Sequence, residues 1–211
     1  NFMLVSQGRF RETEAMALLS DHPFPCRNPA QNIADLKAQI AANTKGVKEL
    51  RAMIDHFSLD VVQAYMRHVQ ANAEASVRRV IGSLTDGECV YPLDTGLEIR
   101  VKVSVDTEAG EAVIDFTGTS DRSPFNYNAP LAVCHAVVLY VVRTLVGSDI
   151  PVNEGCLKPL TIIAPEGSMI TAHYPAAAIA CHTAVPQSIA DCLYGALGAV
   201  AGSQGTVNNF V

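Results

Sequence analysis

At 211 residues, with 49% hydrophobic and 17% charged residues, the chain holds enough apolar material for one sizeable core or two small ones, which excludes a disordered chain. A formal charge of -6 with only 15 Lys plus Arg excludes the clustered basic surface that a nucleic-acid binder needs. No apolar run reaches the roughly 20 residues that span a bilayer, so the expectation is a soluble protein.

The six cysteines, at 26, 89, 134, 156, 181 and 192, contain no C-x-x-C pair. A chain with a large core does not need disulfide staples and no signal peptide precedes Asn1, so a reduced, cytoplasmic protein is expected. The start at Asn1-Phe2-Met3, strand-like and without an initiator Met, and the end at Val211 straight after a polar motif predict an internal piece of a longer protein.

In chain order, Phe2–Val5 reads as a short strand, Arg9–Glu14 as a charged stretch, and Asp21–Pro29, with three prolines from Pro23, as a loop. Asn28, Pro29 and Gln31 then form an N-cap, an N1 proline and an N3 amide able to reach back to the cap. Apolar residues recur at Ile33, Leu36, Ile40, Val47, Leu50, Ile54 and Phe57. After a break at Ser58 they recur at Val61, Tyr65, Met66, Val69, Ala73, Val77, Val80 and Leu84. This spacing predicts two helices of roughly 25 residues forming a long antiparallel hairpin with one shared buried seam.

Composition changes at Thr85-Asp-Gly87. Leu97, Ile99, Val101, Val103 and Val105 alternate with polar residues, and Ala112, Ile114 and Phe116 repeat that period after a turn at 106–110, which predicts a β-hairpin. Leu131–Val146 reads as a buried helix, Leu160–Ala164 as a short buried strand, and Gln187–Ala201 as a small-residue helix. In the last, Gly195, Gly198 and Gly202 imply close approach of another backbone. Helices and strands are segregated, so the predicted class is α+β: a strand and linker over 1–28, a helical hairpin over 29–84, and an α+β domain over 85–211.

The loop Asp115-Phe-Thr-Gly-Thr-Ser120 places a carboxylate at a strand end before hydroxyls and a glycine. Its spacing fits neither the phosphate turn of actin-like kinases nor the catalytic turn of aspartic proteases. It reads either as a turn capped by Asp115 or Ser120, or as a substrate-contacting loop using Thr117 and Gly118. Asn126, Asn128, Asn153 and Glu154 lie on loops, where carboxamides suit the donor and acceptor of an amide edge or simply form turns. Cys134-His135 and Cys181-His182 are adjacent in sequence and splay apart, so neither pair is a dyad. His182 remains open as an acid, base or ligand, or as a structural histidine. Without H-x-x-x-H or H-x-H spacing, no metal site is expected in this stretch.

Six motifs occur in register along the chain: Arg27–Asn43, Asp115–Ser120, Asn128-Ala-Pro130, Ile150–Cys156, Pro165-Glu-Gly-Ser168 and Ser203-Gln-Gly-Thr-Val-Asn-Asn209. On these the chain resembles the hydantoinase B / 5-oxoprolinase family, which includes subunits of acetone and acetophenone carboxylases. Gly8-Arg-Phe-Arg-Glu12 and Asn32–Gly46 look closest to its 5-oxoprolinase and N-methylhydantoinase branch. The resemblance implies ATP-dependent opening of a cyclic amide, 5-oxoproline to L-glutamate or a hydantoin ring, by a B-type half acting with an actin-like ATPase half in an oligomer.

ATP and Mg are then expected in that partner half, with no cofactor in this stretch and a metal only in segments upstream of it. Asp115, Glu154 and His182 are the catalytic candidates, and Thr117, Gly118, Asn126, Asn128, Asn153, Asn208 and Asn209 the substrate-binding ones. The alternatives are a carboxylase-type subunit and a non-catalytic assembly domain. Where the family reads Gly-Asn-Val-Glu-Thr-Ser-Gln, this chain reads Cys181-His-Thr-Ala-Val-Pro-Gln187, which implies altered chemistry at that segment.

Overall fold

The computed structural model describes residues 2–147, 149–199 and 205–206. The chain is α+β and divides into two compact units, residues 1–65 and 66–211.

In the first unit, β1 (Val5–Ser6) and β2 (Arg9–Phe10) pair antiparallel about a Gln7-Gly8 turn whose residues both have positive φ. The charged stretch that follows is helical: α1 spans Glu12–Ser20 and buries Ala15. Helix α2 (Pro29–Phe57) starts as its sequence signals. The Asn28 side chain accepts a hydrogen bond from the Gln31 backbone N–H at 3.2 Å, with Pro29 in the first turn. The expected reach-back of the Gln31 amide does not form, because its Nε2 donates to Asp35 Oδ1 at 2.8 Å instead.

Ser58, at φ 74°, breaks the helix, and α3 (Leu59–Ile81) runs on into the second unit. The seam expected between these helices is not buried. Val47, Leu50, Met53 and Phe57 on α2, and Leu59, Val61, Tyr65, Met66 and Val69 on α3, are exposed, Phe57 by 54%. Before residue 73 only Ile33, near the start of α2, is a predicted stripe position that becomes buried, while Val62 on α3, beside the exposed stripe residue Val61, is buried instead. Periodicity marks an apolar face; it does not say what covers it.

The second unit is built on a four-stranded sheet in the order β3 (Gly87–Pro92), β4 (Glu98–Asp106), β5 (Glu111–Asp115) and β6 (Leu160–Ile163). The first three strands are antiparallel, and β6 joins β5 in parallel. The β4–β5 hairpin follows the predicted alternation, with Ile99, Val101, Val103, Ala112 and Ile114 all buried on one face. Its turn is held by Asp106 Oδ1, which accepts from the Glu108 and Ala109 N–H groups.

Onto the apolar face pack the C-terminal half of α3 (Ala73, Val77, Ile81), α4 (Leu131–Leu145) and α5 (Ala184–Ala196). Helix α5 begins three residues before its expected start, because Pro186 lies in the first turn, where a missing N–H costs no hydrogen bond. Close backbone approach is met at Gly195, where a Cβ would lie 2.7 Å from Cys89 Sγ. Gly198 serves differently, ending the helix at φ +61° with open space around it, and Gly202 lies outside the described residues. Among the described residues no helix is long and apolar enough to cross a membrane.

Candidate functional site

The Asp115–Ser120 loop owes its shape to an unfilled sheet edge. Strand β5 pairs with β4 only over residues 102–106, leaving the β4 edge at 98–101 without a strand. The loop turns back and fills it. Thr119 Oγ1 accepts from the Arg100 N–H and donates to the Arg100 carbonyl, both at 3.1 Å. Ser120 Oγ accepts from the Glu98 N–H at 2.8 Å, and the Ser120 N–H donates to the Glu98 carbonyl at 2.9 Å. Asp115 Oδ1 accepts from the Thr117 N–H at 2.8 Å, and Gly118, at φ +92°, lies where a Cβ would come within 3.1 Å of Arg100 Cδ. The hydroxyls of Thr119 and Ser120 are therefore spent on the sheet. Asp115 and Thr117 line a shallow depression of about 480 Å³ on the outer face, with Glu88, Val90, Arg100 and Lys102.

Asn128 is fully buried, and its carboxamide is saturated by the backbone. Oδ1 accepts from the Ser123 N–H at 2.8 Å, and Nδ2 donates to the carbonyls of Ser123, Phe125 and Ala177 at 3.0, 2.8 and 2.7 Å. It pins the 123–128 loop to the segment before α5. Asn126 is exposed, and its backbone carbonyl accepts from the Ala180 N–H. Asn153 caps a 3-10 turn over Glu154–Leu157, accepting from the Gly155 N–H at 2.8 Å, while Glu154 is exposed. Asn208 and Asn209 lie outside the described residues.

His182 closes a second 3-10 turn, Ile179–His182, directly before α5. It lines a groove of about 350 Å³ between α4 and α5, with Val133, Val137, Tyr140, Pro186 and Gln187. A volume of that order suits a small ligand. The segment that departs from the family wording, 181–187, thus supplies most of the wall of this groove that faces α4.

One turn past Gln187, Asp191 is a carboxylate buried to 6% exposure and the one charged residue of α5, and sequence reasoning passed over it. An Asp between Ala190 and Cys192 in a small-residue run was the available signal. Gln187 Nε2 donates to its Oδ1 at 2.7 Å. The phenol of Tyr91 on β3 is pushed above its ordinary pKa by burial and then by the charge of Asp191. Tyr194 is raised chiefly by burial, and its hydroxyl shares a 2.7 Å hydrogen bond with Thr144 of α4.

None of the six cysteines is in a disulfide. Cys134, the adjacent partner of His135, is buried on α4, and desolvation pushes its thiol up to about 12; burial likewise raises Cys192, beside Cys89. The thiolate is the nucleophile, so neither serves as one near neutral pH. Iodoacetamide at pH 8 is expected to leave Cys134, Cys156 and Cys192 unmodified in the native protein and to label all three after unfolding. Peptide mapping that finds Cys134 or Cys192 alkylated as fast as Cys26 would contradict this burial. Among the described residues no three His, Cys, Asp or Glu side chains group to hold a metal ion.

The chain is 37% identical to the 5-oxoprolinase of Dictyostelium discoideum over 98% of its own length and 17% of that protein. It is 38% identical to 5-oxoprolinase 1 of Arabidopsis thaliana over 99% of itself and 18% of that protein. It therefore spans about a sixth of the length of these relatives. The crystal structure of the ATP-dependent caprolactamase from Pseudomonas jessenii superposes with a TM-score of 0.72 at 23% identity, covering 94% of this chain and 34% of that one, a likeness of fold. The family profile described as hydantoinase B/oxoprolinase matches residues 1–211, the whole chain. Six motifs in register, an α+β unit of matching fold and a profile match from end to end agree: the chain belongs to the hydantoinase B/oxoprolinase family.

Proposed function

We propose that this chain is part of an enzyme that opens cyclic amides at the expense of ATP, with 5-oxoproline as substrate and L-glutamate as product. The observation that carries the reading is the similarity, at 37 to 38% identity, to proteins named 5-oxoprolinase along almost the entire chain.

A lactam carbonyl is a poor electrophile, and phosphorylation of its oxygen turns that oxygen into a leaving group for water. In the loop with hydroxyls and a positive-φ glycine that the sequence singles out, Thr119 and Ser120 are bound into the edge of β4. ATP and Mg are accordingly assigned to an actin-like ATPase half, and this chain to the B-type half, in a cytoplasmic oligomer. The α4–α5 groove, lined by His182 and Gln187, is the cavity assigned to the substrate.

Incubation of the full-length protein and its ATPase half with 5-oxoproline and ATP is expected to release glutamate and phosphate together, and glutamate formation is expected to cease without ATP. No glutamate from a preparation with an active ATPase half would overturn the reading.

A further inference from the structure

Gln187, in the first turn of α5, lines the α4–α5 groove, and the buried carboxylate one turn further on settles how its carboxamide is turned. Nε2 donates to Asp191 Oδ1 at 2.7 Å, so the amino end of the carboxamide is spent. The end left for a molecule in the groove is Oε1, which only accepts. No hydrogen bond to it is made among the described residues.

His182, two residues before α5, is exposed and lines the same groove. Of the side chains lining it, His182 alone can take a positive charge, and no carboxylate is among them. A ring N–H of histidine donates whether the imidazole is neutral or charged. Val133 and Val137 of α4 and Pro186 of α5 make the remainder of the lining chiefly apolar. The groove thus offers one fixed acceptor, one place for a negative charge and apolar walls.

5-Oxoproline presents the matching groups. Its ring N–H and its carboxylate sit on adjacent ring atoms, and the far side of the ring carries methylenes.

We infer that Gln187 Oε1 accepts the ring N–H, that His182 donates to the carboxylate, and that the ring methylenes lie against Val133, Val137 and Pro186. His182 then selects lactams that bear a carboxylate, and Gln187 selects lactams over lactones. The assignment rests on the cyclic-amide reading above and on the groove given to the substrate there, and it adds the residues that choose the substrate.

The test follows glutamate formation from 5-oxoproline by the full-length protein with its ATPase half, in the presence of two competitors. One is 2-pyrrolidinone, the same ring without the carboxylate; the other is 5-oxotetrahydrofuran-2-carboxylate, in which oxygen replaces the N–H. The unmodified protein is expected to bind each at least about tenfold more weakly than 5-oxoproline, the effect of one lost hydrogen bond in a site built for it. In His182→Ala the KM for 5-oxoproline is expected to rise about tenfold at unchanged kcat while 2-pyrrolidinone binds as before, so the preference between them disappears. In Gln187→Leu both lactams are expected to weaken about tenfold and the lactone to bind as before.

An unchanged preference over 2-pyrrolidinone in His182→Ala overturns the assignment, as does equal weakening of all three ligands in Gln187→Leu, the mark of a purely structural role. If Gln187→Leu does not fold, the unmodified protein decides for Gln187: a lactone bound as tightly as the lactam overturns its part. Failure of the unmodified protein to make glutamate at all would count against the parent reading instead.

Discussion

Replacing Gly87 with alanine is expected to lower the stability of the second unit by about 3 kcal/mol, read as a lower urea midpoint at unchanged slope. Gly87 opens β3 where that strand passes under the end of α5. A Cβ there would lie 1.9 Å from the carbonyl oxygen of Ala196 and 3.0 Å from its carbonyl carbon. Both opposing atoms are backbone, so no rotamer change relieves the overlap. Either α5 lifts from the sheet, opening voids around Cys192 and Leu193, or β3 shifts its pairing with β4.

Gly46 supplies the control. It lies within α2 with nothing within 4 Å of its Cβ position, and alanine there is expected to stabilise by about 1 kcal/mol through helix propensity. Equal effects at the two positions would show that β3 and α5 do not meet as described.

Asn128→Ala is expected to destabilise by about 3 to 4 kcal/mol, because each buried group left without its partner contributes about 1 to 3 kcal/mol, not fully additively. The substitution strands the Ser123 N–H and deprives three carbonyls, those of Ser123, Phe125 and Ala177, of their donor. Asn128→Asp is expected to be at least as damaging, since it aims a carboxylate oxygen at those carbonyls in a site without solvent. Thermal or urea unfolding measures the loss directly. A ligand-binding role makes the opposite forecast, with stability near that of the unmodified protein and a raised KM for 5-oxoproline. That outcome would refute the structural role assigned here.

Asn128 also illustrates how a motif is read correctly and its purpose is not. Asn126-Tyr-Asn128-Ala-Pro130 stands out in the sequence as a loop rich in carboxamides, and the loop exists. Which carboxamide faces a ligand depends on a carbonyl 49 residues downstream, at Ala177, which no local pattern reveals. The Asp115–Ser120 turn behaves alike: the residue types suggest a ligand loop, whereas the unfilled edge of β4 decides that Thr119 and Ser120 complete a sheet. Asp191 is the reverse case, a residue of ordinary type whose interest comes only from Gln187, Tyr91 and its unpartnered oxygen.

Strand β3 went unread because Gly87-Glu-Cys-Val-Tyr-Pro92 shows little contrast between faces. Cys89 and Tyr91 turn inward while Val90 faces out at the sheet edge. Helix α1 hid behind the charges of Arg9–Glu14, although Ala15-Met-Ala-Leu-Leu19 that follows favours a helix.

What the sequence determined by itself is local. The Asn28 cap and Pro29 start α2, the period of two sets β4 and β5, Pro130 and an apolar run make α4, and six motifs in register identify the family. These follow from dihedral preference, capping and side-chain periodicity over a few residues, all written into neighbouring positions. Only the tertiary structure decided that most of the apolar stripe on α2 and on the N-terminal half of α3 stays exposed, that Gly87 must lack a side chain, and that Gln187 meets Asp191 near Tyr91. Those outcomes depend on atoms that meet across about 50 to 110 positions of the chain, and contacts at that range leave no periodic trace in the sequence.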